Sequence, residues 1–287
     1  MAGLTAPILL ITDLSARCDR AMDRALSVAQ SNGVKLIVLH VIDTPWIRRL
    51  TQPDWQAHQE RHLQQAQARL RRDLPETTVD IDIMVEQGDI VEVIEQVAID
   101  QQCSLIVSGT ARDETLGRIV LGNTVQRLAR RVAIPLLIVR HRAHQTYNNV
   151  VVASDFSAGS GQALLMASRL FADAAITIYH GFDEVAGIYA LDEPTLREQT
   201  LARQKQAHAF VQSALNRTPA DLSIVIEHGA VTECLPALVE SQAINIVAVG
   251  THGVSGMARM AMGSVAETLL DRLNCDVLVV PQDGSDT

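Results

Sequence analysis

Gly250-Thr-His-Gly253-Val-Ser-Gly-Met-Ala-Arg-Met-Ala-Met-Gly263-Ser264 follows the apolar run Ile244–Val249 and leads into Val265-Ala-Glu-Thr-Leu-Leu270. An aliphatic run, then small residues, then an amphipathic stretch is the pattern of a strand handing over to a helix. The first backbone N–H groups of such a helix lack acceptors and its dipole is positive there, so the junction suits a phosphate. An altered version of the segment lies upstream: Gly109-Thr-Ala-Arg112-Asp-Glu-Thr-Leu-Gly-Arg-Ile-Val-Leu-Gly122-Asn123-Thr124. The outer glycines are equally spaced in both versions, and Arg112 stands where the other has Gly253.

The correspondence extends in both directions. Ile8-Leu-Leu-Ile-Thr-Asp13-Leu-Ser15 matches Val150-Val-Val-Ala-Ser-Asp155-Phe-Ser157, and His40-Val-Ile-Asp43 matches His180-Gly-Phe-Asp183. Glu86-Gln-Gly88 matches Glu227-His-Gly229, and Leu136–Val139 matches Val277–Val280. The offset stays between 140 and 142 residues, so the chain is two copies of one domain-sized unit, 1–143 and 144–287. A short polar stretch, His141-Arg-Ala-His-Gln-Thr-Tyr-Asn148, joins them and is too short for a long flexible tether.

Within each copy short apolar runs alternate with longer amphipathic ones. The expected strands are Ile8–Thr12, Lys35–Val41, Val79–Glu86, Leu105–Val107 and Pro135–Val139, then Val150–Ser154, Ala175–His180, Ser223–Glu227, Ile244–Val249 and Val277–Val280. Continuous Ile/Val/Leu runs fit strands buried on both faces of a parallel sheet. Val79-Asp-Ile-Asp-Ile-Met-Val85 alternates instead, which predicts an edge strand. Ser15 and Ser157 are placed to cap the next helices, Gly33 to end the first one, and 54–73 and 193–217 read as long polar helices. The βα alternation implies a doubly wound sheet, whose ligands sit beyond the C-terminal strand ends. Asp13 and Asp155 after strand one, and the glycine segments after strand four, fall on that edge.

Composition narrows the function. The chain is 47% hydrophobic but only 3% aromatic, which suits an aliphatic α/β core. No apolar run approaches the roughly 20 residues of a membrane span, and no export signal opens the chain, so a cytoplasmic protein is expected. Residues 1–143 carry as many acidic as basic side chains, so the net charge of −9 falls on 144–287. Neither half offers a basic nucleic-acid footprint. Cys18, Cys103, Cys234 and Cys275 form no metal or redox spacing, and buried free thiols are expected. No metal site and no catalytic residue is assigned.

The pattern Gly250-x2-Gly253-x9-Gly263-Ser264, with an Asp after strand one and the βα order, resembles the nucleotide signature of the universal stress protein superfamily. The resemblance covers essentially the whole chain as two tandem copies. It implies an α/β fold of two tandem doubly wound domains, each a five-stranded parallel sheet of order 3-2-1-4-5 (adenine nucleotide alpha hydrolase-like). It implies a stress-response regulator that binds ATP, ADP or AMP, with or without Mg2+. It also implies domains paired within the chain, a homodimer as a further option, and a protein partner of unidentified nature.

Carried over by residue, Asp155 would meet the adenosine and the backbone at Gly181 would line the base pocket, where Val41 stands in the first copy. Val249, Gly250 and Thr251 would border sugar and phosphates. Gly253 would let the backbone approach the ligand, and Gly263, Ser264 and Val265 would supply amides. His252 reads either as a phosphate contact or as an exposed loop histidine. Gly263-Ser264 alone also reads as a turn followed by a helix cap.

The first copy, built on Asp13, Val41, Gly109, Arg112, Gly122, Asn123 and Thr124, departs from the pattern. Arg112 would either screen the phosphate space or serve as its cation, and Asn123 could cap the helix and donate its amide. Three functions follow: a nucleotide-binding regulator mainly through the second copy, a nucleotide-free interaction module, or a carrier of a lipid or metabolite near Val41, Ile42 and Trp46. Any ATP hydrolysis would be slow, since no general base is placed. Ser157-Ala-Gly-Ser-Gly161 lacks phosphate-loop spacing, and His40 and His180 read as satisfied strand-end histidines.

Overall fold

The computed structural model describes residues 3–15, 18–43, 55–113, 118–120, 122–131, 133–143, 146–183, 192–216, 222–251 and 262–282. The chain divides into two compact units, 2–128 with 134–144, and 145–287 with 1 and 129–133.

The first unit runs β1 (Ile8–Thr12), α1 (Asp19–Asn32), β2 (Leu36–Asp43), α2 (Trp55–Asp73), β3 (Ile81–Gly88), α3 (Ile90–Asp100) and β4 (Leu105–Gly109). It continues through β5 (Ala111–Asp113), β6 (Arg118–Val120), α4 (Asn123–Arg131) and β7 (Leu136–Val139). Its five long strands lie in the order β3-β2-β1-β4-β7, every neighbour parallel.

The second unit runs β8 (Asn149–Ala153), α5 (Ala158–Leu170), β9 (Ala175–Phe182), α6 (Glu193–Leu215), β10 (Leu222–His228), α7 (Val231–Ser241), β11 (Ile246–Gly250), α8 (Ser264–Arg272) and β12 (Asp276–Val280). Its order, β10-β9-β8-β11-β12, is the same 3-2-1-4-5 arrangement, again all parallel. Both units are thus doubly wound, with the first strand flanked by the second and fourth.

The burial explains the strand chemistry. Leu9, Leu10, Ile106, Val107 and Leu137, and likewise Val247, Ala248, Val277 and Leu278, are fully inaccessible. A strand covered on both faces by helices takes Ile, Val and Leu at consecutive positions, each worth about 1.5–3 kcal/mol when buried. The edge strands β3 and β10 are partly exposed along most of their length. Strand β3 starts at Ile81 rather than Val79, because the Val79 N–H turns back to Thr77 Oγ1 at 3.2 Å. The first ladder bond on that side is Leu36 N–H to the Asp80 carbonyl.

The two first helices start differently. Ser157 caps α5, its hydroxyl accepting the Ser160 N–H. Ser15 does not cap α1: that helix begins at Asp19, with Cys18 in the cap position and no side-chain cap bond to the helix amides. The Ser15 N–H donates to Asp13 Oδ1 at 2.8 Å, and the Ser15 carbonyl accepts the Cys18 N–H. Helix α1 ends at Gly33 and the long helices α2 and α6 fall where the polar stretches predict. The hairpin β5–β6 is an addition to the expected elements.

Polar groups tie the second unit's entry to its last strand. The Tyr147 hydroxyl donates to Asp276 Oδ2 at 2.6 Å, with Tyr147 6% and Asp276 1% exposed. Among the described residues no helix is long and apolar enough to cross a membrane.

Candidate functional site

Both units place the same turn at the end of their first strand. Leu14 and Phe156 adopt φ of 63° and 62°, the left-handed region that side-chain-bearing residues avoid. Hydrogen bonds hold them there. Leu14 N–H donates to Thr12 Oγ1 at 3.1 Å and Phe156 N–H to Ser154 Oγ at 3.0 Å. Two residues on, Ser15 N–H meets Asp13 Oδ1 and Ser157 N–H meets Asp155 Oδ1, at 2.8 and 3.1 Å. The strain buys a fixed direction for each aspartate. Burial pushes the Asp13 carboxyl up, but bonds from Ser15 and from the Cys18 thiol outweigh it, and the group lies below its ordinary value. It is therefore a carboxylate at neutral pH.

The neighbouring strand contributes an equally repeated group. His40 Nδ1 lies 2.8 Å from the Thr12 carbonyl and His180 Nδ1 2.8 Å from that of Ser154. A carbonyl only accepts, so each Nδ1 carries the proton. Burial and the Arg203 charge lower the His180 pKa, against the opposing pull of the Ser154 carbonyl and Asp155, so this ring is neutral at pH 7. Both histidines are satisfied, and both also line a cleft.

The second unit's cleft, about 450 Å3, brings Asp155, Gly181, Val249, Gly250, Thr251, Gly263, Ser264 and Val265 together with Ser154, Ser160, His180 and Val231. Thr251, 5% exposed, anchors its far wall. The Thr251 N–H donates to the Val280 carbonyl at 3.0 Å, and the Thr251 carbonyl accepts the Gly263 N–H at 2.8 Å. Gly263 is the cap of α8, and its carbonyl takes the Glu267 N–H. The first-turn amides of Ser264, Val265 and Ala266 have no intrahelical acceptor, and all three residues line the cleft.

The glycines here have different causes. A Cβ on Gly250 would lie 2.8 Å from the backbone of Gly159 in α5, so its bareness serves helix–strand packing. A Cβ on Gly181 would meet Val231 at 3.0 Å. Gly263 is the contrary case: its φ is −61° and a Cβ would sit at an ordinary 3.5 Å from the Thr251 carbonyl oxygen. His252 and Gly253 lie outside the described residues.

The first unit's cleft, about 220 Å3, gathers Asp13, Val41, Gly109, Gly122 and Thr124 with Thr12, Cys18, His40, Ser108 and Thr110. Arg112 falls in β5, opposite Ile119 of β6 in an antiparallel ribbon. Asn123 does not cap α4. It is the helix's first residue, and Gly122 holds the cap position, its carbonyl accepting the Gln126 N–H at 3.1 Å. Trp46 lies outside the described residues, and Ile42 is absent from the described lining.

Several lining groups escaped the sequence reading. Thr12 and Ser154 precede the aspartates, and only the left-handed turn that their hydroxyls hold makes them part of the site. His40 and His180 carried a signal in their recurrence. Cys103 and Cys275 are buried thiols as expected, but Cys18 and Cys234 are half-exposed, and Cys18 donates to Asp13 Oδ1 at 3.1 Å. Three of the four phenylalanines also collect beside the second cleft. Phe156 stacks on His180 at 4.3 Å, His180 is parallel to Phe182, and Phe210 lies 5.6 Å from Phe156. Arg203 covers the Phe182 ring at 4.1 Å.

A repeated doubly wound unit, with an aspartate after its first strand and a cleft at the C-terminal strand ends, defines a class of tandem α/β proteins. Within that class the chain belongs to the universal stress protein family, whose family model matches residues 5–140 and again 146–281. A universal stress protein of Mycolicibacterium smegmatis is 26% identical over 296 residues, covering 95% of this chain and 96% of its own length. One from Thermus aquaticus is 32% identical over 134 residues, 46% of this chain and 97% of its own length. The crystal structure of a universal stress protein from Archaeoglobus fulgidus shares the fold at a TM-score of 0.64 and 19% identity, covering 96% of this chain and 98% of that one.

Proposed function

We propose that this universal stress protein is an adenine-nucleotide-binding regulator of the stress response, and that ATP occupies the cleft of the second unit. One observation carries the reading: the oriented Asp155 carboxylate and the open first turn of α8 face the same cleft. A strand-end carboxylate in a doubly wound sheet suits the ribose hydroxyls. Unsatisfied amides at a helix start suit the phosphates.

In this reading Gly181 offers backbone to the base, while Ser264 and Val265 offer amides to the phosphates, with the Ser264 hydroxyl as a further donor. Gly263 has no packing or φ requirement among the described residues, which fits a glycine kept bare for a ligand. The aspartate and neutral histidine supply no broad positive field on this acidic half, so local amides carry the anion. Mg2+ would arrive with the phosphates. Regulation follows if ATP contacts the segment between Thr251 and Gly263, because a ligand shifts an equilibrium only through differential affinity.

The test is direct. The purified protein is denatured and the released small molecules are identified, and the refolded or ligand-stripped chain is titrated with ATP and Mg2+ by calorimetry. Release of adenine nucleotide and a saturable isotherm are expected. No binding at millimolar ATP would overturn the assignment and favour a nucleotide-free interaction module.

A further inference from the structure

Each aspartate turn is gripped from the side by the long helix of its own unit, and the two grips use different chemistry. Leu14 and Phe156, the residues after Asp13 and Asp155, hold a left-handed backbone at φ of 63° and 62°. Leucine and phenylalanine leave that region readily, so it persists only where the surroundings over-determine it. The hydroxyls of Thr12 and Ser154 supply part of the restraint. The long helices α2 and α6 supply the rest.

In the first unit the Arg69 guanidinium of α2 donates to the Leu14 carbonyl at 2.6 Å. In the second the Phe156 ring lies between two others. His180 stacks on it at 4.3 Å with the planes 25° apart, and Phe210 of α6 meets it at 5.6 Å, tilted by 57°. His180 is itself tied to the Ser154 carbonyl. Phe210 is seated against α5, since a Cβ on Gly161 would lie 3.6 Å from its Cε2.

Arg69 and Phe210 hold the same place in the repeat. Each directly precedes a buried aliphatic, Leu70 or Val211, and each follows a buried alanine, Ala66 or Ala207, by the same interval. Those buried neighbours serve the packing of the helices. Arg69 is half-exposed and adds nothing to the core. Two unrelated side chains at one position, both reaching the residue after the aspartate, are what a shared task predicts and what packing alone does not.

We infer that Arg69 and Phe210 are positioning residues: by holding Leu14 and Phe156 they fix the direction in which Asp13 and Asp155 face their clefts. The restraint of each carboxylate runs through the same turn, because its Oδ1 accepts the N–H of Ser15 or Ser157. Loosening Leu14 or Phe156 moves that N–H, and the carboxylate moves with it. The affinity of each cleft is thereby set in part from outside it. The inference rests on the proposed function only for the ligand that meets Asp155; the grip belongs to the chain alone.

The experiment reads amide exchange with solvent by NMR in the full chain without added ligand. Phe210→Ala should speed exchange at Phe156 and Ser157 by about two- to tenfold, the range for one aromatic pair, and leave Leu14 and Ser15 unchanged. Arg69→Ala, which leaves the core intact, should do the reverse by about threefold. Phe210→Tyr keeps the ring and should behave as wild type. Phe156→Asn keeps a residue suited to the left-handed region but removes the ring. It should speed exchange at Ser157, and adding Phe210→Ala to it should change nothing more.

Calorimetry with ATP–Mg2+ gives the second reading. Affinity should fall by about two- to tenfold in Phe210→Ala, return in Phe210→Tyr and stay at the wild-type value in Arg69→Ala. Unchanged exchange at Ser157 in Phe210→Ala, or a rise spread evenly over the whole unit, would overturn the inference. So would weakened ATP binding with the Ser157 amide protected as before. Local exchange effects in a protein that ignores ATP would uphold the grip while the ATP assignment fails.

Discussion

The two units share a scaffold and differ in how the described ends of the passage from the fourth strand to the next helix are held. In the second unit the ends of that passage are joined by the Gly263 N–H to Thr251 carbonyl bond, and α8 opens on Ser264. In the first, the chain folds back as β5–β6 and α4 opens on Asn123. The strand-end aspartates, their left-handed neighbours and the two tethered histidines are the same in both. The connection can therefore differ while the sheet and the aspartate turn stay fixed.

The largest effect that bears on this contrast is structural. Gly250→Ala drives a Cβ into the Gly159 backbone, which cannot yield as a side-chain end would. A loss of about 3 kcal/mol or more is expected in thermal or denaturant unfolding. Wild-type stability would remove packing as the reason for that glycine.

Gly253→Arg comes next, since it writes the first unit's Arg112 into the second. ATP affinity should fall by about a hundredfold, or 2.7 kcal/mol, read by calorimetry. Unchanged binding would break the assignment of the second cleft. Gly263→Ala sharpens the point: stability should move by only about 0.5 kcal/mol, while ATP binding weakens.

Smaller differences separate the scaffolds. Tyr147 and Asp276 form a buried bond in the second unit, where the matching positions of the first are Thr5 and Pro135. Tyr147→Phe leaves the buried carboxylate short of a donor and should cost about 1–3 kcal/mol. Helix α3 is capped by Asp89, which accepts the Val91 and Glu92 N–H groups and faces Arg127, whereas α7 starts from Ala230 with no side-chain cap.

Asp89→Ala should cost about 1 kcal/mol, and Ala230→Asp should gain a similar amount if the new carboxylate reaches the helix amides. The Glu92 amide bond lowers the Asp89 pKa most, with burial opposing it and Arg127 assisting. Its contribution is accordingly present above the ordinary value of 3.8 and is lost as pH falls through the lower folded value. An acid-unfolding series on the wild type and Asp89→Ala would converge at low pH.

The internal repeat made the fold legible, because every buried strand is written twice in aliphatic residues and the alternation of Val79–Val85 marks an edge. The second cleft was legible for the same reason: Asp155 and Gly263-Ser264 stand at strand ends that the βα order brings together. The hairpin was not. Ala111-Arg-Asp113 and Arg118-Ile-Val120 are too short to display a period of two. Ser15 and Ser157 look alike in sequence, and each gives its amide to the preceding aspartate, yet only Ser157 caps a helix: the Ser15 carbonyl takes the Cys18 N–H in a turn and α1 begins at Asp19. The lining role of the histidines depended on side-chain direction, which strand periodicity gives only to the nearest face.

The bond between Thr251 and Gly263 has a consequence for how such proteins diverge. That bond holds the ends of the intervening stretch at a fixed span. Closure entropy grows only logarithmically, about 0.6 kcal/mol for each doubling of length. Insertions, deletions and new residues there cost the sheet almost nothing, whereas the same changes inside β11 or α8 would be felt throughout the core. The anchor makes the stretch it closes the cheapest part of the second unit to reinvent.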